Sequence, residues 1–193
     1  KAKHLSEQSL KNTNLDWTII RQSSLFGDPR GQNRPEFCKA LKEDMLELVP
    51  GFPSVLPFPA PSFHEGLVPF GSGEFSFSMI HVTNVAEIIL KIIEDKDSIG
   101  QTIELGGNKD FTWDEIIKTI AKASNKKVIM VPAPVLVVLT AARFLDWWKK
   151  FPVTRDQLKD LIKGSVCNSE KIIKKYNIDL IPFNSENLSY LAG

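Results

Sequence analysis

The chain has 193 residues, enough for one domain or two small ones and for a substantial buried core. Twenty-four Lys+Arg against twenty-three Asp+Glu leave a net charge of +1, which excludes a nucleic-acid binder running on bulk charge and an acidic disordered tail. Two cysteines, Cys38 and Cys167, exclude a disulfide scaffold and a multi-Cys zinc site, and His4, His64 and His81 lie too far apart for metal-ligand spacing. No apolar run approaches the ~18 residues of a spanning helix. In chain order, residues 1–13 read as a short helix carrying Leu5 and Leu10. The run Leu15–Arg21 (LDWTIIR) is compact, apolar and rich in β-branched and aromatic residues, which predicts a buried strand. SSLFGDPRGQNRP, dense in Gly, Pro, Asn and Asp, reads as loop. Pro35 sits at a helix start, and Phe37, Ala40, Leu41, Met45 and Leu48 keep helical spacing to about residue 48.

Between Val49 and Gly73 the chain places six of its twelve prolines and shows little periodicity, the pattern of a lid, a binding loop or a disordered stretch. Phe52, Phe58, Phe63 and Phe70 interrupt it and predict that it packs on something. GSG at 71–73 leads into the strand-like FSFSMIHV. Asn84 with Glu87 fits an N-cap and its partner, ahead of an amphipathic stripe of Val85, Ile88, Ile89, Ile92 and Ile93. QTIELGG reads as a buried strand ending in a tight turn. Thr112 with Glu115 forms a second capping box before Trp113, Ile116, Ile117, Ile120 and Ala121. KKVIMVPAP predicts a short strand stopped by proline, and Pro134 to Lys150 an apolar-to-aromatic helix. Thr154 with Gln157 caps another helix, and NSEKIIKKYNI gives the last one. Alternating strands and helices indicate an α/β fold. The strands are too few for a doubly wound sheet by themselves, so something else is expected to complete it.

Three stretches together resemble the C-terminal half of atypical extended short-chain dehydrogenases, the NAD(P)-binding, nucleoside-sugar-epimerase-like group. Lys3-x-x-x-Glu7 followed by LDWTIIRQSSLFG resembles that family's K-x-x-x-E helix and T-I-x-R-P-x-x-x-x-G strand and loop. HVTNVAEIILKIIED with QTIELGG is similar to its H-V-x-D-V-A helix and Y-x-L-G-G strand. FTWDEIIKTIAKASN, then VPAP, then PVTRDQLKDLIKGSV is most similar to the branch containing the dehydrogenase-like accessory subunit of respiratory complex I. The resemblance implies the C-terminal part of a Rossmann-like doubly wound parallel sheet over residues 1–30 and 80–107. A mostly helical substrate or partner subdomain is implied over 31–79 and 108–193. NAD or NADP is the implied cofactor.

In such proteins a Gly-rich turn between the first strand and first helix holds the pyrophosphate on backbone N–H groups. Neither G-x-x-G-x-x-G nor G-x-G-x-x-G occurs in this chain, and LGG at 105–107 and GSG at 71–73 lack the strand–turn–helix context. The family's catalytic Tyr would lie four residues before Lys3. The expectation is a chain that begins inside a helix and lacks the N-terminal nucleotide-binding half, through truncation, an undescribed segment or a split gene.

By resemblance, Lys3 holds the nicotinamide ribose and lowers the pKa of that Tyr; the plain alternative is a solvated surface lysine. Gln22, Ser23 and Ser24 leave the C-terminal end of a central strand, where α/β sheets bind ligands, and so face the nicotinamide; the alternative is an ordinary turn. Gln22 stands where the family has Pro. Phe26, Arg30 and Arg34 border the implied substrate pocket, with the two guanidinium groups suited to a phosphate or carboxylate, or else to ion pairs with Asp28 or Glu36. His81 is a substrate-facing candidate whose alternative is a structural, hydrogen-bonded histidine. Asn84 replaces the family's Asp, and either residue caps. Val135 to Phe151 reads as a core or partner-facing helix, or, through Trp147, Trp148, Lys149 and Lys150, as a membrane-surface contact. Cys38 and Cys167 read as structural.

Two functions follow. One is an NAD(P)-dependent oxidoreductase or epimerase acting on a small or lipid-like carbonyl or alcohol, with segment 49–70 covering the substrate. The other is a non-catalytic structural or assembly subunit of a respiratory-type membrane complex that holds a dinucleotide as a folding staple. An NADP-sensing protein is the third class. The expected location is cytoplasmic or peripheral to a membrane, on the mitochondrial matrix side in a eukaryote, with no secretory signal in view.

Overall fold

The structure is a computed structural model, described over residues 2–31, 36–47, 53, 56–64, 75–138, 140 and 163–192. In chain order come α1 (Ala2–Lys11), β1 (Ile19–Gln22), β2 (Leu25–Phe26), α2 (Phe37–Leu46), β3 (Phe58–His64), β4 (Ser76–Ser78) and β5 (Ile80–His81). They are followed by α3 (Val82–Glu94), a 3₁₀ turn at Lys96–Ser98, β6 (Thr102–Leu105), β7 (Asp110–Thr112), α4 (Trp113–Ala123) and β8 (Val128–Pro134). Helix α5 (Glu170–Tyr176) and a 3₁₀ turn at Ser189–Ala192 close the chain. The expected helix over 134–150 is described at 135–138 and 140, where it is helical; its remainder and the Thr154–Gln157 cap lie outside the described residues, as does Arg34.

β1 runs parallel to β6 with Ile19 opposite Thr102 and Gln22 opposite Leu105. α3 buries Val85, Ile88 and Ile92 against Ile103, Leu105, Ile80 and Ile178. The expected strand over Leu15–Arg21 begins later, at Ile19, because Leu15 is exposed and makes no ladder. FSFSMIHV is two strands with different partners: β4 is antiparallel to β7, and β5 is parallel to β2.

The proline-rich segment was expected to carry no regular structure, and the structure corrects this. β3, FPAPSFH, pairs in parallel with β8, VIMVPAP, over seven residues from Phe58↔Val128 to His64↔Pro134. Phe58 N–H donates to the Lys127 carbonyl at 2.8 Å, so Phe58, Ala60, Ser62 and His64 turn their N–H groups to β8. Pro59 and Pro61 take the alternate, outward positions, and Pro132 and Pro134 do the same on β8. All four rings therefore sit where no ladder donor is lost, which is how a two-edged ribbon tolerates them. Proline in KKVIMVPAP does not stop the strand for the same reason. The carbonyl of Pro61 also points outward, and Trp113 Nε1 donates to it at 2.8 Å.

Two further helix starts are informative. Thr112 and Glu115 form the expected capping box on α4. On α3, however, the cap is His81, whose Nδ1 accepts the Thr83 N–H at 3.2 Å, and Asn84 is an interior residue of the helix. The buried Asn84 amide donates through Nδ2 to the Asp179 carbonyl at 2.8 Å and accepts the Ile181 N–H through Oδ1 at 2.8 Å. It needs one donor and one acceptor, so Asp does not substitute for it here. Asn84→Asp is expected to cost about 1–3 kcal/mol by setting a carboxylate oxygen against the Asp179 carbonyl, read from the shift of a urea unfolding midpoint. An unchanged midpoint would restore the simple capping role. The far end of α3 is tied by Asp95, which accepts from Lys175 Nζ at 2.5 Å and Tyr176 Oη at 2.6 Å and whose carboxyl is held down to about 2 by those bonds.

Candidate functional site

The C-terminal end of β1 passes through Ser23 and Ser24 into β2, whose end releases the chain into Gly27–Arg30, and the end of β5 turns directly into α3. These neighbouring strand ends, with the start of α2 and the C-terminal 3₁₀ turn, enclose a cavity of about 870 Å³. Ser24, Phe26, Gly27, Arg30, His81 and Tyr190 are among its walls. Cavities at the carboxyl ends of parallel strands are the ligand sites of open α/β sheets. The structure thus brings together Ser24, Phe26, Arg30 and His81 of the residues singled out from sequence.

Lys3, Gln22 and Ser23 do not line this cavity. Gln22 is exposed at the end of β1, and Ser23 is buried, its hydroxyl donating to the Ser165 carbonyl at 2.6 Å. Lys3 is exposed on α1. The position of α1 is set by Glu7, whose carboxylate receives Arg21 Nε at 3.2 Å and a second guanidinium nitrogen at 2.6 Å. At the other end of the helix, Lys11 Nζ lies 5.7 Å from the centroid of the Trp17 ring, just ahead of β1. α1 and β1 are therefore antiparallel, and Lys3, about 6 Å before Glu7 along the axis, falls on the Gln22 side of Arg21. The fork fixes α1 on β1 through Glu7, four residues after Lys3.

Burial, then the Arg30 charge, lowers the pKa of His81, favouring the neutral ring. Because Nδ1 accepts the Thr83 N–H, the proton of the neutral ring sits on Nε2. The ring packs edge-on against Phe26 at 5.0 Å, and Nε2 lies 2.9 Å from where a side-chain carbon on Gly27 would stand. Gly27 has φ +135°, a conformation only glycine holds without strain.

Glu36 and Tyr190 were missed in the sequence. Glu36 caps α2 by accepting the N–H groups of Cys38 at 3.0 Å and Lys39 at 2.6 Å. Its carboxyl is shifted up by burial, against the downward pull of those bonds. Tyr190 Oη accepts the Gly27 N–H at 3.2 Å and shares a hydrogen bond with Glu36, and burial with the nearby Cys38 and Glu36 drives its pKa up. One phenol thus ties the strand-end loop, α2 and the C-terminal turn together. A carboxylate just ahead of FCKALKEDML was a readable cap signal; nothing local marks Tyr190. Cys38 is fully buried and its thiol is raised well above the ordinary range by burial, so it is no nucleophile. LGG at 105–107 is not a phosphate cradle: a side chain on Gly106 would strike Ser78, and one on Gly107 the Met79 carbonyl. Those glycines serve close packing of the chain on itself.

No family model matches the chain. It is 23% identical over 191 residues to the Arabidopsis thaliana protein "NADH dehydrogenase [ubiquinone] 1 alpha subcomplex subunit 9, mitochondrial", covering 94% of this chain and 42% of that one. Its fold is similar to that of the Thermus thermophilus UDP-glucose 4-epimerase in complex with NAD, with a TM-score of 0.59 and 18% identity over 98% of this chain and 50% of that one. It is likewise similar to dTDP-4-dehydrorhamnose reductase from Bacillus anthracis in complex with NADP, with a TM-score of 0.57 and 17% identity over 98% of this chain and 52% of the other. The α/β, Rossmann-like fold expected from the sequence is therefore the fold observed. The chain spans about half the length of these relatives.

Proposed function

We propose that this chain is the C-terminal half of an NAD(P)-binding oxidoreductase- or epimerase-like protein that acts on a small or lipid-like carbonyl or alcohol. The observation that carries this reading is the cavity at the carboxyl ends of β1, β2 and β5, lined by Ser24, Phe26, Arg30 and His81. In this reading residues 1–30 and 80–107 belong to the dinucleotide-binding part, and 31–79 and 108–193 to the substrate or partner part.

The residues present fit one edge of a dinucleotide and not its phosphates. Lys3 on α1 and Gln22 at the end of β1 are exposed, and Ser24, two residues on, opens into the cavity; in this reading they form a polar set for the ribose and carboxamide of a nicotinamide. Ser23 supports that edge through Ser165. The glycines at 106–107 are filled by packing, so the pyrophosphate would rest on the part of the relatives that this chain does not match. Bound there, the nicotinamide would supply a hydride donor or acceptor. Lys3 would hold the ribose hydroxyls and favour loss of a proton from a neighbouring acid. Arg30, with Arg34, would grip an anionic portion of the substrate, and Phe26 and His81 would wall its other side.

Titration of the full-length protein with NADH and NADPH, followed by fluorescence and thermal shift, tests the reading. Saturable binding is expected, weakened at least tenfold by Lys3→Met with the melting temperature of the free protein unchanged. Absence of binding by either dinucleotide would overturn it.

The similarity to a plant respiratory complex I subunit over nearly the whole chain favours a second reading, a dinucleotide-holding structural subunit of a respiratory-type complex. In this reading residues 135–151 make a peripheral contact, on the mitochondrial matrix side or in the cytoplasm; among the described residues no helix is long and apolar enough to cross a membrane. Retained binding of NADPH without turnover, together with copurification with membrane-complex subunits, would select it.

A further inference from the structure

We propose that the cavity and the outer face of α3 form one binding site for a single-chain amphiphile, with an oxyanion head at Arg30 and His81 and an alkyl chain laid along Val82, Ala86, Ile89 and Ile93. This names the substrate class of the site described above and rests on that reading.

α3 has three faces rather than two. Val85, Ile88 and Ile92 are buried in the core, and Thr83, Glu87, Lys91 and Glu94 form an exposed polar side. Val82, Ala86, Leu90 and Ile93 are exposed and Ile89 is half-buried. At about 100° per residue these five apolar residues fall within an arc of about 100°. Leu90 and Ile93 are 64% and 74% exposed. A surface helix ordinarily presents polar residues there, and a contiguous apolar stripe marks a contact surface.

What covers the stripe is indicated by where it starts. Val82 and Ala86 line the cavity, so the stripe is the continuation of the cavity wall toward the far end of α3. From Val82 to Ile93 it runs about 16 Å, the reach of a medium-length alkyl chain.

The head chemistry follows from which protons and lone pairs are already committed. Glu36 accepts from two backbone N–H groups and shares a bond with Tyr190. Asp28 accepts the Arg30 backbone N–H at 2.8 Å. The Tyr190 hydroxyl is engaged by the Gly27 N–H and Glu36. The Arg30 guanidinium and the His81 Nε2 proton stand at the cavity end of α3 with the Thr83 hydroxyl, the Ser24 and Ser189 hydroxyls lie on neighbouring walls, and Glu186 is the remaining carboxylate of the lining. A cation beside a neutral donor suits an oxyanion, carboxylate or phosphate.

Isothermal titration of the full-length protein uses dodecanoate and dodecyl phosphate, below their micelle-forming concentrations, with octanoate and inorganic phosphate as shorter and chainless probes. One half-covered methylene contributes about twofold in affinity, half the energy of full burial. Dodecanoate should therefore bind roughly fifteenfold tighter than octanoate, and the better of the two dodecyl ligands identifies the head. Ile93→Glu, at an exposed site, should flatten the chain-length dependence while leaving octanoate binding intact, and Leu90→Gln should do so in part. Arg30→Gln should weaken every probe about tenfold. Affinity independent of chain length, or no saturable binding of either dodecyl ligand, overturns the proposal. Dissociation of an oligomer, or destabilisation of the full-length protein, by Ile93→Glu without amphiphile binding would give the stripe to a partner helix or to the part of the protein outside this chain, and also overturn it. Because NADPH titration is read separately, amphiphile binding without dinucleotide binding would sink the dinucleotide reading alone, and the reverse would sink this one.

Discussion

Replacing Trp113 by alanine is expected to remove about 3–5 kcal/mol of folding stability, the range for deleting a large buried aromatic side chain. Trp113 is fully buried at the first position of α4, next to Ile116, Ile117 and Ile120, which are equally inaccessible. Its ring packs at 5.4 Å from that of Phe63 on β3, and its own N–H donates to the Phe75 carbonyl at 3.1 Å. Its indole N–H satisfies the Pro61 carbonyl, which faces away from β8 and so has no ladder donor. Deleting the ring leaves a cavity and an orphaned acceptor together. Trp113→Phe keeps much of the volume and loses the hydrogen bond, and should cost about 1–3 kcal/mol. Urea unfolding of the two variants separates the terms. If alanine cost no more than phenylalanine, the ring packing would be irrelevant and the hydrogen bond would be the whole anchor of β3.

That anchor explains why part of the fold was readable and part was not. A capping box is contained within four residues, so Thr112 and Glu115 announced α4, and the spacing of Val85, Ile88 and Ile92 announced α3. Parallel pairing of β3 with β8 carries no local signature. β3 alone reads as a proline-broken loop and β8 as a strand stopped by its prolines, and the outward placement of all four prolines becomes evident only when the two are set in register. The two-residue β2 and β5 are likewise too short to show a period, and exist because the strand ends they extend lie side by side. Asn84 misled for a different reason. Its residue type and its spacing to Glu87 suit a cap, but His81 three residues earlier supplies the acceptor, freeing the amide for the distant Asp179–Ile181 backbone.

The candidate site divides the same way. Ser24, Phe26 and Arg30 were legible because they follow a strand end in one continuous stretch, and His81 because it precedes a helix. Glu36 and Tyr190 meet across most of the chain, and no local pattern can encode that meeting. Arg34 lies outside the described residues. Glu7 shows an intermediate case: its place in the K-x-x-x-E pattern was visible, while what it does, a two-pronged pairing with Arg21, required the fold.

Gly27→Ala should produce the second large effect, and one that links stability to the site. At φ +135° an alanine carries backbone strain of about 1–3 kcal/mol. Its methyl group would stand 2.8 Å from Val82 Cγ1 and 2.9 Å from His81 Nε2, closer than such atoms pack. Neither neighbour yields freely, because His81 caps α3 and packs on Phe26, and Val82 opens the helix. Relief of that overlap adds about 1–3 kcal/mol, so the total approaches the Trp113→Ala loss. The distinguishing readout is local. Moving His81 breaks its bond to the Thr83 N–H and turns Nε2 from the cavity, and shifting Gly27 strains the N–H donated to Tyr190. Oxyanion binding should then fall by more than unfolding accounts for, measured at a temperature where both proteins are folded. In Trp113→Ala, by contrast, affinity per folded molecule should stay unchanged, because neither Trp113 nor β3 lines the cavity. Equal affinity in the folded Gly27→Ala variant would place the ligand elsewhere than on the wall built by Gly27, His81 and Arg30.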